Sequence, residues 1–273
     1  MDTLSRLELA NDNAAAFWLA QARSRGWEFV RRPGFAAVRC DGGPADVHRV
    51  VVTRPYTDPE RTTAEVVAVL HGWSTTALCL EDPYGGLDLA RRGCEAALGQ
   101  AVMTRRPGSM ADPGAGGGTG GGTGSGEGGT GRVTVAEART PDDLAAVERT
   151  VVDGFPMPAR MAGERGDMLP PVLLGTAGLR AWLARVDGRP AGACLSYDDG
   201  EAVGLYSLAT LPECRSRGVG RAMVAAVLEA HPDREATLVS TLLGEPLYRR
   251  LGFVEQGVSR WWRYPATPSA MTV

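Results

Sequence analysis

The sequence predicts an α/β protein laid out as two unequal halves, and three observations carry that expectation. Extended apolar runs of strand length alternate with runs of helical periodicity on both sides of the chain's middle. Between them, residues 109–131 are dominated by glycine with threonine and serine, a composition too poor in apolar surface to offset the entropy of ordering. Residues 201–231, EAVGLYSLATLPECRSRGVGRAMVAAVLEAH, then compress a strand, a turn rich in Arg and Gly, and a helix into one stretch. The expected organisation is an α/β domain over 1–108, a disordered linker over 109–131 and a second α/β domain over 132–273.

In the first half a helix is expected from about Asn11 to Ser24, with Phe17, Trp18, Leu19 and Ala22 on its apolar face. Short strands follow near 26–31, 35–40 and 48–53. Asp58 then reads as the N-cap of a helix over 59–70, with Pro59 at the first helical position. A strand near 75–80, a short helix over 86–93 and a strand near 99–105 complete the half. Some 20 linker residues at roughly 5–6 Å times the square root of their number span roughly 25 Å on average, which tethers the halves without fixing them.

The second half starts with a strand over 132–138 and a helix opened by Thr140 as cap, Pro141 at N1, and Asp142 and Asp143 in the first turn. Residues 155–178 are rich in Pro, Met and Gly and read as a long mobile segment. Leu179–Val186 and Ala191–Tyr197, joined by Asp187-Gly188-Arg189-Pro190, read as a hairpin. A strand over 202–210 then delivers the chain into the Arg-Gly turn. Beyond the helix come a strand near 236–240, a short helix around Tyr248, and a last strand near 257–264 on which Trp261 and Trp262 must face opposite ways.

The turn itself, Arg215-Ser216-Arg217-Gly218-Val219-Gly220 followed by Arg221, has the chemistry of an anion site. A helix that opens from a glycine turn presents unpaired N–H groups and the positive end of its dipole, and Gly218 and Gly220 lack the Cβ that would hold a phosphate away. A dinucleotide fold would need a third glycine where Met223 stands and an acid where Ser240 stands. P-loop and kinase clamps need a lysine, and the sequence has none. The remaining pattern, Arg215, Gly218 and Gly220 as Arg-x-x-Gly-x-Gly, resembles the coenzyme A pyrophosphate loop of GNAT-type N-acetyltransferases. A second stretch, Pro246-Leu247-Tyr248-Arg249-Arg250-Leu251-Gly252-Phe253, resembles the family's later signature.

The resemblance implies a GNAT-like mixed sheet in the C-terminal half, acetyl-CoA as co-substrate without a metal, and transfer of acetyl to the amine of a small molecule. It places the acetyl and pantetheine portions at the backbone of Leu208, Ala209 and Thr210, and the pyrophosphate at Arg215, Ser216, Arg217, Gly218, Val219, Gly220 and Arg221. Tyr248 is the candidate general acid, since a phenol with a reference pKa near 10 stays protonated beside a thiol near 8.5. Many relatives carry a glutamate where this chain has Gly204 or Ala236, so no base is assigned. Water, Glu201, Tyr206 and a residue of the N-terminal half all remain open. A binding module that senses acyl-CoA without turnover is the rival class.

The N-terminal half is expected to be a smaller, degenerate copy of the same fold. Leu87–Ala96 aligns with Pro246–Glu255, which sets Gly93 against Gly252 and Leu89 against Tyr248. The turn Thr53–Asp58 has no glycine to cradle a pyrophosphate. A net charge of −3 argues against nucleic acid or an anionic membrane as partner, and no apolar run reaches spanning length. The N-terminus lacks the layout of a signal peptide, so a cytoplasmic location is expected. The five cysteines have no C-x-x-C pair and read as free buried thiols, and His48, His71 and His231 read as ordinary side chains. Composition leaves the oligomeric state open.

Overall fold

The structure is a computed structural model that describes residues 4–40, 48–73, 78–108, 132–155 and 164–264. The linker expected at 109–131 lies outside the described residues. The N-terminal half runs α1 (Arg6–Arg25), β1 (Phe29–Arg31), β2 (Phe35–Val38), β3 (His48–Val52), α2 (Pro59–Gly72), β4 (Leu78–Asp82), β5 (Glu95–Ala96) and β6 (Gln100–Arg105). The C-terminal half runs β7 (Val133–Glu137), α3 (Pro141–Gly154), β8 (Leu179–Val186), β9 (Arg189–Asp198), β10 (Ala202–Thr210), α4 (Val219–Ala230), β11 (Glu235–Ser240), α5 (Glu245–Arg250) and β12 (Val254–Tyr264). Two helix starts follow their sequence signals closely. Asp58 caps α2 by accepting from the Arg61 N–H, and Thr140 with Asp143 forms a capping box on α3.

The strands form one mixed sheet in the order β1-β2-β3-β4-β12-β6-β11-β10-β9-β8-β7, with β5 paired to β12. Each half's last strand completes the other half's sheet. β6 pairs antiparallel with β11 through Arg105↔Ala236 to Ala101↔Ser240, while the end of β12 pairs antiparallel with β4 through Arg260↔Asp82 to Tyr264↔Leu78. The beginning of β12 also pairs with β6, so the two exchanged strands lie side by side at the junction. The cores are exchanged with them: Ala101 and Met103 of β6 pack with Val219, Met223 and Phe253, and Trp262 of β12 packs with Leu70, Leu80 and Leu89.

About that junction the two halves repeat one another. β3 and β4 are parallel neighbours joined through α2, as β10 and β11 are joined through α4, and the outer neighbours β2 and β9 are antiparallel in both. The short stretches aligned in the sequence share their hydrogen bonds. The Cys94 N–H donates to the Leu89 carbonyl at 3.2 Å as the Phe253 N–H does to Tyr248 at 3.0 Å, and Gly93 and Gly252 hold φ of 80° and 82°. That left-handed conformation is why both are glycine. The first copy is a 3-10 turn over Ala90–Arg92 where the second is α5.

α1 joins the halves on the face opposite α4. It begins at Arg6, five residues earlier than its apolar periodicity suggests, because Ser5 and Glu8 form a capping box. One stripe, Phe17 and Ala20, enters the core of the C-terminal half, while Ala15, Leu19 and Ala22 pack on Ala36, Val38 and Val51 of the N-terminal half. Asn13 fixes the contact with β10: its Nδ2 donates to the carbonyls of Tyr197 and Ala202 at 3.2 and 3.1 Å, and its Oδ1 accepts from the Tyr206 hydroxyl at 2.6 Å. A Cβ on Gly204 would stand 2.0 Å from that Oδ1.

Part of the segment read as mobile is pinned. Leu169 and Leu173 are buried in the core with α3, and the buried Glu148 accepts the N–H groups of Gly166, Met168 and Leu169 at 3.0–3.3 Å. Residues 156–163 lie outside the described residues. The five cysteines are all buried and free. Among the described residues no helix is long and apolar enough to cross a membrane.

Two outcomes follow from this architecture. Gly204→Ala should destabilise the protein by about 1–3 kcal/mol, because the added methyl collides with the Asn13 amide at a satisfied site; a urea midpoint equal to the parent's would refute the contact. A 132–273 fragment made alone lacks β6, so it should melt without cooperativity, and co-expression with 1–108 should restore one sharp transition. A cooperative melt of the lone fragment at the parent temperature would show that the exchange is dispensable.

Candidate active site

β10 and β11 are the elements that open a site. They pair in parallel only from Ala202↔Glu235 to Leu205↔Leu238. Beyond that, β10 keeps its partner β9 while β11 continues beside β6, so the two strands part and leave a cleft. The parting coincides with a β-bulge: register to β9 slips between Tyr206 and Ala209, and Ser207 takes φ 50°. The backbone edge of Tyr206–Thr210 that faces away from β9 therefore has no strand beside it, and its N–H and C=O groups are left for another partner. Leu208, Ala209 and Thr210, chosen from sequence, lie on this stretch.

The Arg-Gly turn closes one end of the cleft. After a 3-10 turn at Pro212–Cys214, Ser216 and Gly218 take φ of 61° and 78°, and α4 starts at Val219 with no side chain capping its first turn. Positive-φ residues at alternate positions ahead of an uncapped helix turn N–H groups to one side, which is an anion-binding concavity. Arg215, Arg217 and Arg221 stand exposed around it, and none has an ion-pair partner among the described residues. Gly218 is the residue whose φ requires glycine. Gly220 lies in the first turn of α4, and its absent Cβ makes room for Leu247 of α5, which would be 3.0 Å away.

The equivalent helix of the N-terminal half is built differently. The first turn of α2 is filled by the Asp58 carboxylate, and its preceding loop holds no glycine. A carboxylate at that place repels the anion that α4's uncapped end attracts.

Tyr248 sits on α5 with its ring in the core, 7% exposed, packed edge-on to Phe253 at 5.8 Å between centroids and beside Val219 and Met223. Burial, and then the nearby Cys194, hold its phenol well above the ordinary tyrosine range, so it stays protonated. Its hydroxyl makes no hydrogen bond to a described residue, which leaves a donor available. Of the residues named as open candidates for a base, Glu201 is exposed at the far end of β10 and Tyr206 donates to Asn13. Burial, followed by the Glu81 charge, holds the Tyr206 phenol far above its usual value.

On the α1 side, a cavity of about 370 Å³ reaches the mouth of the cleft at Tyr206, Ser207 and Val239 and extends between the halves to Trp18, Glu81 and Trp261. Trp261 and Trp262 divide as alternation requires, Trp261 to this cavity and Trp262 to the core over α2. Sequence reading did not single out Glu81. The available signal was an acid directly after the apolar run Leu78-Cys79-Leu80, at a position facing opposite to Leu78 and Leu80.

Known proteins match this arrangement. Residues 177–255, which carry the hairpin, β10, the turn and α5, match the Acetyltransferase (GNAT) domain. A GCN5-related N-acetyltransferase from Kribbella flavida superposes with a TM-score of 0.60 at 18% identity, covering 93% of this chain and 96% of its own. A tandem GNAT protein from the clavulanic acid biosynthesis pathway gives 0.52 at 15% identity, covering 88% of this chain and 82% of its own. A GCN5-related N-acetyltransferase-like protein from Streptococcus suis gives 0.51 at 10% identity, covering 87% of this chain and 88% of its own. No curated protein matches the sequence. At these identities the structures establish the fold over most of the chain, and the family match identifies residues 177–255 as a GNAT acetyltransferase domain.

Proposed function

We propose that the protein transfers acetyl from acetyl-CoA to the amine of a small molecule, using one cofactor site per chain in the C-terminal half. The observation that carries this reading is the parting of β10 from β11 beside an uncapped helix ringed by three arginines without ion-pair partners. Acetyl-CoA supplies the acyl group as a thioester. The N–H groups from Ser216 to Arg221 and the three guanidiniums suit its pyrophosphate, and the free backbone edge of Leu208, Ala209 and Thr210 suits its amides.

The assigned roles follow from charge and protonation. Tyr248 holds a proton at any physiological pH and donates it to the departing thiolate. The N-terminal half lacks a second cofactor site because Asp58 occupies the place an anion would take. A small acceptor is supported by the size of the cavity at the cleft's mouth and by its largely apolar walls.

Gly218→Val forces a β-branched residue into a left-handed conformation that costs on the order of 1–3 kcal/mol. Acetyl-CoA affinity should then fall by about 10-fold or more in calorimetry, with the parent's circular dichroism retained; parental affinity in the folded variant would remove the turn from the cofactor site. The same titration of the parent should give one site per chain. Tyr248→Phe should lower turnover by on the order of 10² while leaving acetyl-CoA affinity unchanged. Parental turnover would make the tyrosine a packing residue.

A further inference from the structure

Glu81 and Asp82 are neighbours at the end of β4, and the fold treats them in opposite ways. Asp82 is fully buried and saturated: it accepts from the Tyr56 hydroxyl at 2.8 and 3.0 Å and from the N–H groups of Tyr84 and Leu87, each at 3.0 Å. It holds a turn. Glu81 is 7% exposed, its carboxylate accepts no hydrogen bond from a described residue, and Arg49 Nη1 lies 3.9 Å from it. A buried carboxylate without hydrogen bonds needs a reason to be there.

Alternation sends Leu80 to the core over α2 and Glu81 to the α1 side, into the cavity that opens on the cleft. Its walls come from both halves. Phe17, Trp18 and Trp27 come from the N-terminal half, and Tyr206, Trp261, Leu195 and Leu205 from the C-terminal half. Trp261 Nε1 is buried without a partner among the described residues. Glu81 is the one carboxylate among the described residues that line the space.

On the reading given above, we propose that this cavity is the acceptor site, that it takes a compact primary amine with an aromatic or similarly flat apolar body, and that Glu81 of the N-terminal half accepts the amine's proton. The C-terminal half has no room for an acid on β10, since a Cβ at 204 would meet Asn13 at 2.0 Å, and Ala236 of β11 is buried in the core on the α4 side. The carboxylate is supplied instead across the junction, by the strand that the exchanged β12 pairs with through Trp261↔Glu81.

Protonation agrees with this geometry. Burial pushes Glu81 up to about 7, against a smaller opposing pull from Arg49. The groups around it do not titrate there. Arg49 of β3 and Arg25 of α1 stay cationic, burial raises the Cys79 thiol next to Arg263 of β12, and the Tyr206 phenol of β10 is held high. A carboxylate poised near neutrality accepts a proton from a bound ammonium far better than one near 4.

The step balances as follows. The bound ammonium gives one proton to Glu81, which releases it to solvent, and the neutral nitrogen forms the C–N bond to the thioester carbonyl carbon. The C–S bond breaks with its electron pair on sulfur, Tyr248 protonates the thiolate, and the proton shed by the new amide nitrogen restores the phenol.

The test uses the full-length protein, acetyl-CoA and 2-phenylethylamine as probe acceptor. In the parent, kcat/KM should rise with pH about 10-fold per unit below about 7 and level above it, since the unprotonated carboxylate is the active form. Glu81→Gln should lose that rise and fall by on the order of 10² at neutral pH, with acetyl-CoA affinity unchanged, and Glu81→Asp should recover part of the rate. Ala14→Phe, which fills the cavity from α1, should raise the KM for 2-phenylethylamine by about 10-fold or more without changing the affinity for acetyl-CoA.

A Glu81→Gln enzyme with parental kcat/KM and pH profile overturns the proton-acceptor role alone. Acetylation of spermidine but not of 2-phenylethylamine overturns the occupant. Absence of thiol release with every amine overturns the transferase reading and this inference together. If Glu81→Gln does not fold, a flat parental profile from pH 5.5 to 8 or a parental KM in Ala14→Phe overturns it.

Discussion

The structure depends on the reciprocal exchange of β6 and β12. A strand at a sheet edge carries a row of unpaired N–H and C=O groups, and each half, ended at its own last helix, would present such an edge on β4 or β11. Exchange satisfies both at once, and because β6 and β12 also pair with each other, the two sheets become one with β1 and β7 as its outermost strands. Side chains follow the backbone. Met103 is fully buried in the core of the half it does not belong to, and Trp262 is buried in the other.

A helix that serves two cores cannot be amphipathic in the ordinary sense. α1 is buried on stripes nearly all the way round, from Ala10 and Asn11 to Gln21 and Ala22, because the C-terminal half covers Phe17 and Ala20 while the N-terminal half covers Leu19 and Ala22. Its polar residues are consequently committed. Asn13 bonds two carbonyls and a phenol, and Asp12 makes a two-pronged pair with Arg54 at 2.7 and 2.8 Å. Such fixed points matter because small residues on both sides let helix and sheet approach closely. Gly204 is the clearest case, since any side chain at this place would collide with Asn13 above it.

Element order was legible in the residues because it rests on local rules. Caps at Asp58 and Thr140, the Asp187-Gly188 turn between β8 and β9, and the glycine turn before α4 each act within a few positions. The repeat was legible too, in the alignment of Gly93 with Gly252, because one backbone conformation demands glycine in both copies. Which strand pairs with which across 150 residues obeys no local rule, so the exchange was not visible. The pinned stretch after residue 163 was hidden for a related reason. Its composition is that of a loop, and its order comes from Glu148, a residue on α3 whose carboxylate gathers three distant N–H groups. Similarly, Ser5 and Glu8 announce the start of α1 by their spacing, which apolar periodicity alone passes over.

The degenerate half shows what a duplicated fold keeps and loses. Its helix α2 carries the Asp58 cap where α4 has an uncapped first turn, and Leu89 stands where the other copy has Tyr248. What remains is a rigid sheet whose α1 face looks onto the other half's cleft. On that face a strand needs only one inward change of residue type to place a charge in a cavity, since its neighbours at 80 and 82 point away and go on packing undisturbed. Asp82 keeps the turn and Glu81 keeps the charge, and the two roles separate because adjacent strand residues meet different environments. The exchange of β12 makes the separation durable: it sets Trp261 beside Glu81 by backbone register, so the rings of one half and the carboxylate of the other stay in contact for as long as the sheet exists.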